Sequence, residues 1–342
     1  MALGTNHVDL TNAVGSNPGG FVPTKWIDDV IVTYNANLVL ANKIKRIDFS
    51  GNKGDALILP SLSDRGAPTA KAEDTQVTLV ARTDTDITVN LDQHWEYSFL
   101  IEDTVSIQAL DSILQEYMED AGYAIARKVD QDIFAAMENM QGGTNFSTAV
   151  IGSDGETAYT GSSGTGSNNA AALTDAGIRK MIQTLDDSDV PMMNRSLVIP
   201  PVERNNLMGL ARFTENAFTG DGSIIKNGVL GNIYGVDVAV STNCPWVHTD
   251  ANEAAFTFSS SSPADGSYTD ITGTTTTMSS AVPAARVGAM FHKDSLILAE
   301  QLDVRLQNQY KQEYLGTLYT ADTLYGVSEA RDYGCVPFVV AD

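Results

Sequence analysis

Residues 106–143, SIQALDSILQEYMEDAGYAIARKVDQDIFAAMENMQGG, contain no proline and carry a single apolar stripe: Leu110, Leu114, Met118, Ala121, Ile125, Val129, Ile133, Met137 and Met140. Steps of three and four put these side chains on one face of an α-helix. Ser106 is the candidate N-cap, and Gly142-Gly143 the candidate stop. At 1.5 Å per residue such a helix is roughly 50 Å long, far above the usual three turns. Ahead of it the period changes. GNKGDALILP predicts a turn and a strand over 56–59 ended by Pro60. The polar stretch SLSDRGAPTAKAEDTQ separates that strand from two alternating runs, Val77-Leu79-Ala81 and Ile87-Val89-Leu91. Such alternation around a polar tip predicts a long β-excursion with one half-buried face.

Behind the helix, GGTNFSTAVIGSDGETAYTGSSGTGSNN reads as a low-complexity loop. From Leu173 onward, helical and strand signals alternate. Thr174 caps DAGIRKMIQTLDDSD, Pro191 ends it, SLVIPP is a buried strand, VERNNLMGLARF a second helix and GVDVAVS a second strand. These predict a compact α/β domain with a mixed sheet. Residues 249–282 are Ser/Thr-rich without Lys or Arg, and read as a surface β-insertion. Strand character resumes in RVGAMFHKDSLILAEQLDVRLQNQY and VPFVV, joined by a Gly-punctuated aromatic return. Before Trp26 the chain is rich in Gly, Asn and Thr and reads as an extended arm; WIDDVIVTYNANLVLANKI then predicts a docking helix.

Composition narrows the function classes. The 342 residues carry 43 acidic and 21 basic side chains, a net charge of -22, with no local basic block. A groove that binds nucleic acid needs the opposite balance. Such a surface suits a wall that encloses DNA without adhering to it. The N-terminal sequence lacks the basic start and apolar run of a signal peptide, and no stretch is long and apolar enough to span a bilayer. Two cysteines cannot build a disulfide framework, so a reducing cytoplasm is expected.

Catalytic readings fail one by one. His7, His94, His248 and His292 are scattered; His94, in DQHWEYSF, is expected to pack among aromatics. Cys244 and His248 are two of the four ligands a structural zinc needs, with no second pair at a suitable spacing. A cysteine in a turn before a packed Trp246 is the better reading. There is no G-x-S-x-G or H-E-x-x-H, and GSSGTGSNN lacks the lysine of a phosphate-binding loop. Asp186–Asp189 reads as a solvated helix end. Glu119/Asp120 and Asp130/Asp132 read as a solvated face, where Arg127 and Lys128 are candidates for intersubunit ion pairs. No cofactor or metal is expected.

The order of these parts resembles the HK97-type major capsid protein of tailed bacteriophages, an α+β fold. The wording is closest to T7-like podoviruses of the cyanophage type. Three stretches carry it: WIDDVIVTYNANLVLANKI, EYSFLIEDTVSIQAL with YMEDAGYAIARKVD, and FHKDSLILAEQLDVRLQNQYKQEYLGTLYTADTLYGVSEARD. The resemblance implies an N-terminal arm (1–25), a helix region joining the peripheral domain (26–50) and an extended loop (51–92). A peripheral domain with spine helix (93–143), an axial domain (144–285, insertion 249–282) and returning β-segments (286–342) follow. It implies that copies of this one chain assemble as hexamers and pentamers around double-stranded DNA without sequence-specific binding and without a membrane. With only a short arm before Trp26, a separate scaffolding protein is implied, together with a portal and a cement or decoration protein as further partners. On the loop, Arg65, Lys71, Glu73 and Asp74 join Arg127 and Lys128 as candidate intersubunit contacts. Rival readings are an encapsulin-like shell and, more remotely, a surface adhesin.

Overall fold

The computed structural model describes residues 40–51, 53–62, 70–77, 84–103, 112–141, 148–162, 167–210, 231–248, 257–259, 267–269, 275–277 and 285–342. The arm, most of the helix region after it, Arg65, Ser106 and Leu110 lie outside them. Two sheets share one core. In the smaller, the order is β1 (Lys45–Asp48), β16 (Leu296–Lys311), β17 (Gly316–Glu329) and β4 (Gln93–Glu102). β1 is parallel to β16, and the other pairs are antiparallel. Helix α1 (Ser112–Ala136) packs on one face of this sheet, through Ala121 and Ile125 against Ala321 and Phe99. On the opposite face lies the hairpin of β2 (Ala56–Leu62) and β3 (Asp84–Asn90), with Val89 and Leu91 against Ile297 and Ala299. The run Leu296-Ile297-Leu298-Ala299 is apolar at every position because helix and hairpin cover both faces there.

The larger sheet runs β12 (Thr257–Ser259), β11 (Trp246–His248), β15 (Ala285–His292), β8 (Arg195–Ile199), β10 (Val236–Val240) and β9 (Asn232–Ile233), with β18 (Cys335–Ala341) beside β15 and β5 (Val150–Ile151) beside β18. β6 (Gly161–Ser162) pairs with β7 (Ser167–Asn168), and β13 (Ser267–Thr269) with β14 (Thr275–Thr277). Helix α2 (Asp175–Asp187) covers this sheet with Ile178, Met181 and Leu185. Helix α3 (Pro201–Met208) adds Leu207, and the proline at its first position has no amide of its own to satisfy there. Thr174 caps α2 as predicted, its Oγ1 accepting from the Gly177 amide at 3.2 Å. Gly288 is needed where it stands, since a Cβ there would lie 2.4 Å from the Phe338 ring.

Two of the chain's crossings between the sheets lie side by side. β15 leads through a 3-10 turn (Lys293–Ser295) into β16, and β17 returns through another (Asp332–Gly334) into β18. The Ser295 carbonyl accepts from the amides of Ala330 and Arg331 at 2.8 and 3.1 Å, which holds the crossings together. Under them lies a core drawn from helix and both sheets: Ile133, Phe134, Met137, Phe291, Leu298 and Tyr325.

Several expectations change. The strand from Ala56 continues through Pro60 to Leu62, because a two-stranded hairpin leaves one edge free of ladder bonds and proline fits there. The helix gives way to a 3-10 turn (Met137–Asn139), and Gln141 takes the left-handed conformation at φ 66°; the expected stop at Gly142-Gly143 lies outside the described residues. Three bonds hold Gln141: its amide donates to the Asp332 carbonyl, and its side chain to Tyr333 and Cys335. The described helix spans 25 residues, about 37 Å. Part of the expected loop is core, since Ile151 and Tyr159 are buried and Gly152 meets the start of α2. The aromatic return is β17, an inner strand of 14 residues.

Candidate assembly surface

Between the two strands of the β2–β3 hairpin, the described residues 70–77 are all exposed. Ala72–Thr75 form a tight turn in which the Thr75 hydroxyl donates to the Ala72 carbonyl at 2.7 Å, and Asp74 sits at φ 59°. Lys71, Glu73 and Asp74 are all exposed around it. So are two large apolar residues of the excursion, Ile58 at 61% and Val77 at 64% of full accessibility. Alternation accounts for Ile58, which points away from the seated face.

On α1 the paired candidates separate. Arg127 is exposed, whereas Lys128 is held within its own subunit. Its ammonium lies 2.8 Å from Asp132, one turn on, and 4.4 Å above the Trp95 ring. Asp132 also accepts from the Tyr325 hydroxyl at 2.5 Å, and burial together with this carboxylate pushes the Tyr325 phenol up. Asp130 departs from the solvated-face expectation: it is fully buried, accepting from the Ala41 amide and the Asn243 side chain, each at 3.3 Å. His94 is also different. Its ring is mostly exposed and lies 3.4 Å from Asp322 instead of packing among aromatics. Asp322 receives both arms of the Arg305 fork at 2.8 Å, which hold its carboxyl below the usual range.

Large exposed apolar side chains mark further surface that periodicity did not reveal. Met192 and Met193 stand out from the turn before β8, braced by the Arg195 guanidinium, which donates to the carbonyls of Pro191 and Val190 and to Asp186. Tyr314 and Leu315 occupy the turn between β16 and β17, with Leu315 at φ 47°. The only advance signal is apolar side chains at turn positions. Cys244 and Cys335 are buried free thiols; burial pushes the first up to about 12 and raises the second also. Among the described residues no group of three His, Cys, Asp or Glu is placed to hold a metal, and no helix is long and apolar enough to cross a membrane.

The family profile of phage capsid protein matches residues 100–298, more than half of the chain. The chain belongs to the phage capsid protein family. Solved structures agree on the fold. The chain of Mycobacterium phage Che8 superposes with a TM-score of 0.63 at 20% identity, covering 94% of this chain and 97% of that one. The capsid of cyanophage P-SCSP1u gives 0.64 at 16%, covering 94% and 93%. The head of Helicobacter pylori bacteriophage KHP40 gives 0.59 at 16%, covering 86% and 88%. No curated protein matches in sequence. The capsid protein is thus a structural component of the virion, not an enzyme, and works by self-association.

Proposed function

We propose that this capsid protein builds an icosahedral shell as hexamers and pentamers of one chain, in the HK97 manner. The observation that carries the reading is the β2–β3 hairpin. Its base is seated on β16 and β17, while Ile58, Val77 and the charged turn between the strands are left in solvent. Apolar area presented on a projecting hairpin is stabilised when a neighbour covers it. Residues 51–92 then act as the extended loop, and 93–143 as a peripheral domain with its spine helix. Residues 144–285 form an axial domain, 286–342 return to both, and 1–25 with 26–50 supply arm and connecting helix. Arg65, Lys71, Glu73, Asp74 and Arg127 are contacts to neighbouring copies; Lys128 serves there through Asp132 and Trp95 of its own chain.

A separate scaffolding protein, a portal and a cement or decoration protein complete the particle, which assembles in the host cytoplasm around double-stranded DNA. The closeness to T7-like podoviruses rests on the three quoted stretches. The test is co-expression with the scaffolding protein followed by sedimentation and electron microscopy. Closed megadalton shells made of this chain are expected. A monomer or dimer under every scaffold condition overturns the reading.

A further inference from the structure

Residues 40–49 cross the region where helix and both sheets meet. Leu40 and Ile44 are buried beside Ile133, Phe134, Cys244 and Phe291. Between them, the Ala41 amide donates to one oxygen of Asp130, and the other oxygen accepts from Asn243, in the loop leading to β11. Lys43 then reaches Asp237 on β10 at 3.4 Å. Next, β1 lies along β16, Arg46 pairs with Glu300 at 2.6 Å, and the Phe49 amide donates to the Glu300 carbonyl. Ten residues thus touch the helix of the smaller sheet, a loop and strand of the larger one, and an edge of the smaller.

We propose that residues 40–49 are a strap that sets the angle between the two sheets, with Asp130 as its latch. Asp130 has two oxygens, and each accepts from a different part: strap on one side, larger-sheet loop on the other. Losing either donor removes a hydrogen bond from a fully buried carboxylate, which favours release of the part that donated it. The outer attachments are weaker, being a four-residue parallel edge ladder and two largely exposed ion pairs. Any pull on the chain ahead of Leu40 reaches Ala41, the residue bonded to the latch, before it reaches β1. Capsid protein that must sit in differently curved surroundings gains a defined point at which that angle is released.

The experiment uses the full-length unassembled subunit, so that its failure leaves the capsid assignment standing. Asp130→Asn keeps shape but puts an NH2 group in place of one of the two oxygens that accept from Ala41 and Asn243; adding Asn243→Asp gives that NH2 group an acceptor. Three readouts apply: amide exchange, tryptic nicking at Lys43, Lys45 and Arg46, and the distance between spin labels at Gln312→Cys and Glu156→Cys. In Asp130→Asn the strap amides should exchange about tenfold faster, with nicking to match, while amides of α2 and β8 hold their rates. The label distance distribution should broaden, and the double substitution should reverse all three changes. A distribution as narrow as the parent's while the strap opens shows that the strap does not set the angle. Acceleration of strap and β8 together, or of neither, shows that Asp130 is no latch. Each of these results overturns the proposal.

Discussion

Glu203, in the first turn of α3, is fully buried, and its side chain holds another segment in place. One oxygen accepts from the Leu173 amide at 2.7 Å, the other from Asn206 at 3.2 Å. Glu203→Ala removes the acceptor of the buried Leu173 amide, which costs about 1–3 kcal/mol. The space left by one methylene and the carboxyl adds about 1–2 kcal/mol. Relief from burying a carboxylate offsets part of this, so the net loss should be about 2–4 kcal/mol. Glu203→Gln should behave differently, because one amide oxygen can still serve Leu173. Burial raises the Glu203 pKa above its ordinary value. A carboxyl raised on folding contributes stability that is complete below its unfolded pKa, about 4.3, and is lost as pH rises through the folded value. The glutamine variant has no such loss. Its stability relative to the parent should therefore climb with pH across that interval and level off above it. Urea unfolding of the free subunit, followed by circular dichroism from pH 4 to 8, measures both effects. An alanine variant within about 0.5 kcal/mol of the parent, or a glutamine difference flat with pH, would refute the reasoning.

Three further outcomes are expected. Gly326→Val places a Cβ 2.0 Å from the Asn90 carbonyl oxygen; lifting the hairpin should cost about 3 kcal/mol, read as faster amide exchange in β3 while α2 is unaffected. Arg195→Met removes a guanidinium that is 2% exposed and serves Val190, Pro191 and Asp186, and should cost about 3 kcal/mol in urea unfolding. Arg65→Glu should leave melting of the free subunit unchanged while shell yield collapses, since breaking a desolvated Arg pair costs about 2–5 kcal/mol per contact; normal shells would show Arg65 to be a bystander.

What periodicity could and could not reveal is visible along α1. Ala121, Ile125, Ile133, Met137 and Met140 are buried as the stripe predicts. Asp130 sits one turn before buried Phe134, and neither belongs to the quoted stripe, so the buried face is wider than the stripe showed. Its partners were invisible, because Ala41 and Asn243 lie 89 and 113 residues away. β17 escaped for a different reason. One end is sandwiched between helix and hairpin and the other pairs polar neighbours, so Thr317 to Asp322 show no clean alternation. Nor does any local pattern announce that Lys128 will spend its charge on Asp132 and Trp95, a choice made by a strand of the facing sheet. Family resemblance supplied the architecture; side-chain commitments needed coordinates.

The paired crossings at Lys293–Ser295 and Asp332–Gly334 have a mechanical meaning. A force drawing the two sheets apart at this point is carried by two adjacent covalent spans in parallel, not by one thread. Each span feeds directly into a long ladder: β15 with β18 on one side, β16 with β17 on the other. Pulled along the strands, such ladders are loaded in shear, where many hydrogen bonds resist together; a peeling load would open them singly. The joint therefore bends more readily than it stretches, a property suited to a thin wall under tension.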